Sequence, residues 1–228
     1  MKNTLRNECV RLNIPLTEAQ LAQFETFGNA LIEKNKVMNL TAITEPEAVA
    51  KLHFADCLTL LNAADFRGKS VIDVGCGAGF PGVPLKLGEP SIRLTLLDSL
   101  QKRVNWLRQT LTDLGVEADC VAARAEEYGA REQFDIAVSR AVARLNVLCE
   151  LCLPFVRVGG CFLAMKGSAA GEELEEAKRA VSLLGGCVEF CRDYEIDGAP
   201  RAIIGIRKEK PTPPQYPRRF AKIKQQPL

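Results

Sequence analysis

The sequence predicts an α/β fold with a seven-stranded, mostly parallel sheet and an N-terminal helical extension. From Ser70 onward, short β-branched runs alternate regularly with helical stretches, which is typical of a parallel sheet covered on both faces. Residues 70–82 read Ser-Val-Ile-Asp-Val-Gly-Cys-Gly-Ala-Gly-Phe-Pro-Gly. A buried strand that runs into alternate glycines predicts a loop whose backbone a ligand can touch. With 228 residues, 47% of them apolar, the chain can form one globular domain with an appendage.

Residues 1–66 are expected to form the helical extension. Thr17 and Gln20 have the spacing of a capping box, and apolar residues follow at intervals of three and four until about Lys36. After a loop at 39–42, a second helical stretch is predicted from Pro46 to about residue 61.

Residues 67–208 are expected to form the sheet domain. Strands are predicted at 71–74, 94–97, 118–122, 134–139, 161–166, 187–195 and 202–207, and helices at 82–87, 100–114, 144–154 and 171–184. Asp98 and Ser99 are expected to cap the second of these helices, and Gly115 to end it. Only a short turn at 197–199 separates the last two strands, so they should pair as an antiparallel hairpin.

Residues 209–228 form a basic, proline-rich tail. They hold five basic residues, one acidic residue and five prolines, so their net charge is +4 in a chain whose net charge is +2. This composition predicts an extended segment that is poorly ordered alone, with Tyr216 and Phe220 available for stacking. Two interpretations stay open here, a solvated C-terminus and a phosphate-binding arm.

The nine cysteines are expected to be reduced, because their number is odd and no export signal is present. Cys149 and Cys152 fall on the apolar side of a helical pattern, and Cys187 and Cys191 lie in a strand-like run, so no metal site is predicted.

No apolar stretch approaches the roughly 18 residues of a membrane span. We therefore expect a cytoplasmic protein with no membrane partner.

The glycine loop fits two kinds of ligand. Gly77, Gly79 and Gly82 match the dinucleotide pattern G-x-G-x-x-G, but a lone match is weak evidence. In the register that starts directly at the strand, with Gly75 and Gly77, Phe80 takes the place of the third glycine.

Two acids at successive strand ends favour one of these ligands. Asp73 would repel a pyrophosphate at the helix N-terminus, whereas it can accept hydrogen bonds from the cationic amino-acid part of S-adenosylmethionine. Asp98 suits either ligand, because both contain a ribose. The residues therefore favour S-adenosylmethionine and leave a nicotinamide cofactor as the alternative.

Several motifs resemble those of one family. They are Asn-Lys-Val-Met-Asn-Leu-Thr at 35–41, His-Phe-Ala-Asp at 53–56, the glycine loop at 73–82, Leu-Leu-Asp-Ser-Leu-Gln-Lys-Arg at 96–103, Arg-Ala-Glu-Glu at 124–127 and Ser-Arg-Ala-Val-Ala at 139–143. The chain resembles, over about residues 12–228, the RsmG family, also called glucose-inhibited division protein B. The resemblance implies a Rossmann-like class I fold and methyl transfer from S-adenosylmethionine to N7 of a guanine in 16S rRNA, in the 530 loop region of the small ribosomal subunit. No stable protein partner is inferred.

The resemblance also implies a set of site residues. Gly75, Gly77, Gly79 and Phe80 should line the methionine and ribose region, with Asp73 at the start of the loop and Asp98 near the ribose hydroxyls. Ala125 and Glu126 are expected to read the adenine edge. Arg140 should face both cofactor and target, and it is the candidate catalytic residue.

The chemistry of guanine N7 agrees with the residues that the chain offers. N7 carries a lone pair and no proton, so methylation needs no general base. The single histidine, His53, is expected to be a packing residue. Two alternatives are a methyltransferase of a small molecule and a nicotinamide-binding sensor without catalysis.

Overall fold

Seven strands form one mixed sheet in the computed structural model, which describes residues 1–228. The strands are β1 (Ser70–Val74), β2 (Arg93–Asp98), β3 (Asp119–Ala122), β4 (Phe134–Arg140), β5 (Val156–Lys166), β6 (Gly186–Ile196) and β7 (Ala199–Lys208). Their order across the sheet is β3-β2-β1-β4-β5-β7-β6. The first five run parallel, and β7 pairs antiparallel with both β5 and β6.

Helices cover both faces of this sheet. They are α1 (Lys2–Arg11), α2 (Glu18–Met38), α3 (residues 46–62), α4 (Gly82–Gly88), α5 (Gln101–Asp113), α6 (Leu145–Cys152), α7 (Ala170–Leu183) and α8 (Phe220–Gln225). The middle of α3 is a π-helical turn, Ala50–Ala55, and its last turn is a 3₁₀ turn, Thr59–Asn62. None of the helices combines the length and the apolar character that a membrane span requires.

The predicted strands and the closing hairpin are confirmed. The hairpin turns through Asp197 and Gly198, whose φ angles of 52° and 75° are those of a type I′ turn. The capping box at the start of α2 is also confirmed, because the Thr17 side chain and the Gln20 side chain each accept the other residue's backbone N–H.

Three details differ from the prediction. Helix α1 was not predicted, because only Leu5 and Cys9 of its ten residues are buried and its apolar pattern is short. Helix α5 begins after Leu100, whose backbone N–H donates to the Asp98 carboxylate, so the predicted cap by Asp98 and Ser99 is wrong by one to two positions. Strand β5 begins five residues earlier than predicted, at Val156.

Each face of the sheet has its own hydrophobic core. The first core joins α1 to α5 with the sheet, and it contains the aromatic residues Phe24, Phe27, Phe54 and Phe80. The second core joins α6, α7 and α8 with the opposite face. The N-terminal helices therefore bury their apolar side against the sheet itself, and they carry residues to the edge where β1 and β4 end.

The tail is packed against the second core, so the prediction of an extended, poorly ordered segment is wrong. Arg218 donates from its backbone N, Nε and Nη2 to the Glu150 carboxylate, over 2.8, 2.8 and 2.6 Å. Ile223 in α8 is fully buried, and Thr212 accepts a hydrogen bond from the buried Nζ of Lys208. The proline content had indicated an extended chain. The Arg218–Glu150 ion pair and the burial of Ile223 offset the conformational entropy that the tail loses when it is ordered.

We expect Arg218→Ala to lower the free energy of unfolding by about 3 kcal/mol, because it leaves the fully buried carboxylate of Glu150 unpaired. Urea denaturation measures this change. The matched control is Arg207→Ala, which removes an exposed ion pair with Glu189 and should change stability by no more than about 0.5 kcal/mol. Equal effects of the two substitutions would contradict the structural role of the Arg218 ion pair.

All nine cysteines are free. Cys149 and Cys152 are buried in α6, whereas Cys187 and Cys191 are exposed on β6. No group of three or more histidine, cysteine or acidic side chains is arranged to hold a metal ion.

Candidate active site

A cavity of about 540 Å³ opens at the carboxyl ends of β1, β2, β3 and β4. We call it the first cavity. An open α/β sheet gathers its ligands at this edge, where the strand order reverses between β1 and β4. Five other parts of the chain contribute to the wall: Thr41 after α2, His53 in α3, Arg103 in α5, Leu151 in α6 and Phe220 in α8.

Seven of the nine residues predicted to form the site line the first cavity: Gly75, Gly77, Phe80, Asp98, Ala125, Glu126 and Arg140. The other two, Asp73 and Gly79, do not line it. The structure thus brings together residues from four strand ends, while the contacts of each residue with a ligand stay a prediction.

The glycine loop leaves its backbone open toward the first cavity. Gly77 has a φ of 56°, and a Cβ built there would meet no heavy atom closer than the Gly75 carbonyl oxygen at 4.0 Å. The N–H of Gly77 donates to Oδ2 of Asp98 over 3.0 Å, and that of Gly75 donates to the Leu97 carbonyl over 2.8 Å. The loop is held by the neighbouring strand, so a ligand could lie against its exposed side.

The Asp98 carboxylate holds this loop and keeps capacity for a ligand. Its Oδ1 accepts the N–H of Leu100 over 2.8 Å, while its Oδ2 accepts the N–H of Gly77. Each carboxylate oxygen has a second lone-pair site that can accept from a hydroxyl donor, and Nη1 of Arg103 lies 3.7 Å from Oδ2. A ribose would fit such a pair of acceptors.

Asp73 and Gly79 shape the loop from inside the protein. Asp73 is fully buried, its Oδ2 accepts the N–H of Gly82 over 2.7 Å, and its Oδ1 has no partner. Burial raises the pKa of this carboxyl to about 7. A Cβ on Gly79 would come within 2.7 Å of Val83, so close packing requires glycine there.

Arg140 lies at the end of β4 and is held by α3. Its Nη1 donates to Oδ2 of Asp56 over 3.1 Å and to the Leu52 carbonyl over 3.2 Å. Its Nη2 donates to Nδ1 of His53 over 2.9 Å, and its guanidinium lies 4.8 Å from the centre of the Phe80 ring. Three of its five N–H groups are therefore used, and two remain for a substrate.

The partner of Arg140 on α3, Asp56, is itself fixed from the far edge of the sheet. Its Oδ1 accepts the hydroxyl of Tyr194 in β6 over 2.8 Å, and Asp56 is 4% exposed. Both oxygens of this buried carboxylate are thus occupied, one by a cation and one by a phenol.

His53 has both ring nitrogens engaged. Because arginine only donates, Nδ1 of His53 accepts from Arg140, and Nε2 must carry the proton that it shares with Oγ1 of Thr41 over 2.8 Å. The imidazole also stacks on Phe80, with ring centres 4.5 Å apart. Desolvation, reinforced by the charge of Arg140, lowers the pKa of His53 to about 3. His53 is therefore a neutral residue that positions Arg140.

The sequence prediction did not find this role of His53. The signal available was its spacing, since His53 and Asp56 stand three residues apart in a helical stretch and so share one face. A wide π-helical turn, which often marks a functional site, carries His53 to Arg140 and could not be predicted from the apolar pattern.

We expect the imidazole of His53 to stay neutral between pH 5 and 8, because its lowered pKa lies below this range. The chain has a single histidine, so the ¹⁵N chemical shifts of its ring can be followed without ambiguity. They should remain constant and indicate a proton on Nε2. A titration near pH 6.5 would show instead that the hydrogen bond from Arg140 is absent.

A second cavity of about 580 Å³ adjoins the first. The two cavities share His53, Arg140, Ala141 and Val142. Further lining residues of the second cavity include the cations Arg144, Lys166 and Arg201. The carboxylates Asp56 and Glu173 line it too, and Glu173 is paired with Lys166 over 2.7 Å. Arg140 therefore stands between a cavity at the glycine loop and a cavity with four cations and two carboxylates in its wall.

Comparisons with known proteins agree with this geometry. The family model described as rRNA small subunit methyltransferase G matches residues 20–197. A ribosomal RNA small subunit methyltransferase G from Clostridium botulinum (strain Loch Maree / Type A3) is 42% identical over 99% of this chain and 98% of its own length. The protein of that name from Pelotomaculum thermopropionicum is 44% identical over 100% of this chain and 99% of its own length.

Solved structures that share the fold have much lower sequence identity to this chain than these relatives have. A geranyl diphosphate methyltransferase in complex with S-adenosylmethionine superposes with a TM-score of 0.54 at 11% identity, covering 68% of this chain and 84% of the other. The [4+2]-cyclase SpnF superposes with a TM-score of 0.56 at 17% identity, covering 68% of this chain and 81% of the other. This likeness shows a class I methyltransferase fold, while the reaction is indicated by the sequence relatives. The chain belongs to the rRNA small subunit methyltransferase G family.

Proposed function

We propose that the protein transfers the methyl group of S-adenosylmethionine to N7 of a guanine in 16S rRNA, in the 530 loop region of the small ribosomal subunit. The observation that carries this proposal is the meeting of two cavities at Arg140. The first cavity has the features of a donor pocket, and the second offers an RNA phosphate the guanidinium of Arg201, which makes no ion pair within the protein. Membership of the family makes the protein an S-adenosylmethionine-dependent rRNA methyltransferase.

Residues of the first cavity fit the donor. We expect the backbone of Gly75 and Gly77 to face its amino-acid part and Asp98 to accept its ribose hydroxyls. Ala125 and Glu126, which follow β3, would contact the adenine edge. When bound, S-adenosylmethionine supplies a methyl group activated by a positively charged sulfur.

Residues of the second cavity fit a nucleotide of RNA. Arg201 can neutralise a phosphate at its wall, whereas Arg144 is already paired with Glu172 and Glu176. The two unpartnered N–H groups of Arg140 can donate to O6 of guanine, an acceptor next to N7 on the same edge of the base. Such a bond would orient the guanine and leave its N7 lone pair free to attack.

No side chain at the meeting of the two cavities needs to remove a proton. Guanine N7 has none, and both nitrogens of His53 are already engaged. The contribution of the protein is then to align the nucleophile with the methyl group and to exclude water. Because its substrate would be the small ribosomal subunit, we propose that the protein acts in the cytoplasm.

The test is methyl transfer from labelled S-adenosylmethionine to small subunits isolated from a strain that lacks the enzyme. Nucleoside mass spectrometry should find one new 7-methylguanosine, and nuclease mapping should locate it in the 530 loop. Labelling of another base or of another atom of guanine would overturn the proposal, as would the absence of any transfer while the donor binds.

A further inference from the structure

Phe220 is the one residue of the tail that lines the first cavity. It is half-buried and is the first residue of α8. The other lining residues belong to the segments that precede the tail, so this phenylalanine closes the cavity from a segment that follows the sheet domain in the chain.

Contacts on both sides fix the position of Phe220. Two residues before it, Arg218 makes three hydrogen bonds with the buried carboxylate of Glu150. Three residues after it, Ile223 is fully buried in the second core. The ring is therefore held over the cavity by anchors that do not themselves line it.

The ring lines the first cavity from the face of the sheet that carries the second core, as does Ala125, one of the two residues expected to contact the adenine. Phe220 and Ala125 both pack against the second core, and Leu151 of α6 joins them in lining the cavity. Phe80, at the end near Arg140, belongs to the first core on the other face of the sheet. An aromatic ring beside a nucleobase stabilises binding by stacking.

We propose that Phe220 is a donor-binding residue that covers the adenine base of S-adenosylmethionine. The inference rests on the proposed function for the identity of the donor. It assigns to the tail a part in forming the donor pocket, in addition to any contact of its lysines and arginines with RNA.

Isothermal titration calorimetry with S-adenosylhomocysteine and with adenosine tests the inference without RNA. Phe220→Ala should weaken the binding of both ligands about tenfold, because both contain the adenine. Phe220→Tyr keeps the ring and should bind like the wild type. Leu228→Ala is the matched control, since Leu228 is a half-buried apolar residue of the tail that packs on the second core outside the cavity.

Affinities within twofold of the wild type for Phe220→Ala would overturn the inference, and so would an equal loss for Leu228→Ala. Phe220→Leu, which keeps the apolar contact with the second core and removes the aromatic ring, should also bind more weakly than Phe220→Tyr. Circular dichroism confirms the fold of each variant. Normal ligand binding by the wild type without formation of 7-methylguanosine would overturn the proposed function and leave the role of Phe220 standing.

Discussion

Gly77→Val is expected to weaken the binding of S-adenosylmethionine by at least about 100-fold. Valine would have to adopt the φ of 56° that Gly77 has, which costs about 1–3 kcal/mol for a β-branched residue. Its side chain would also fill the open space between the loop and the first cavity. Calorimetric titration with the donor and labelled methyl transfer would both measure the loss.

Gly68→Val is the matched control for this substitution. Gly68 has a φ of 66°, and a Cβ at this position would have no heavy atom within 4 Å. The residue precedes β1 and lies outside the first cavity. Its backbone strain should be similar, so stability should fall by a similar amount while donor affinity stays within twofold. A Gly77 variant that bound the donor as well as the Gly68 variant would show that the loop does not contact it.

Arg140→Ala is expected to lower kcat/KM for methyl transfer by at least about 100-fold, a loss of roughly 3 kcal/mol in transition-state stabilisation. It removes the side chain that joins the end of β4 to both Asp56 and His53 of α3. It also leaves Asp56 buried without its cation, so the free energy of unfolding should fall by about 3 kcal/mol. Methyl transfer at a temperature where the variant is folded separates the two effects.

Two further variants define what Arg140 contributes. Arg140→Lys keeps the charge but cannot reproduce three directed hydrogen bonds, so its kcat/KM should lie between those of the wild type and the alanine variant. Arg67→Ala removes an exposed arginine that lines neither cavity and should leave activity unchanged.

His53→Ala should reduce activity less than either Gly77→Val or Arg140→Ala, by about tenfold. Arg140 would keep its bonds to Asp56 and to the Leu52 carbonyl and lose only the one to the imidazole. A nearly inactive His53 variant that still binds the donor would contradict this and would give the imidazole a direct part in the reaction.

The sheet and the glycine loop could be predicted because local sequence determines them. The β-branched runs favour strands, Gly77 accepts the positive φ of a tight loop, and the Asp197–Gly198 turn requires positive φ angles that few residues accept. Gly75, Gly77 and Asp98 followed from these elements, since the carboxyl ends of neighbouring parallel strands meet at one edge. Phe80, Ala125, Glu126 and Arg140 were assigned to the site through the resemblance to the family.

The remaining features depend on contacts between distant residues. The tail was predicted to be extended because its prolines are visible in the sequence, while the pairing of Arg218 with Glu150 joins residues 68 positions apart. The engagement of His53 by Arg140 spans 87 positions. The burial of Asp73 depends on the same three-dimensional packing, and a charged residue at a strand end gives no sign of it.

The bond from Tyr194 to Asp56 connects the outermost strand of the sheet to the guanidinium between the two cavities. In a genetic screen, we expect an allele that removes this phenol to resemble a substitution at Arg140 itself. The phenol itself touches neither cavity.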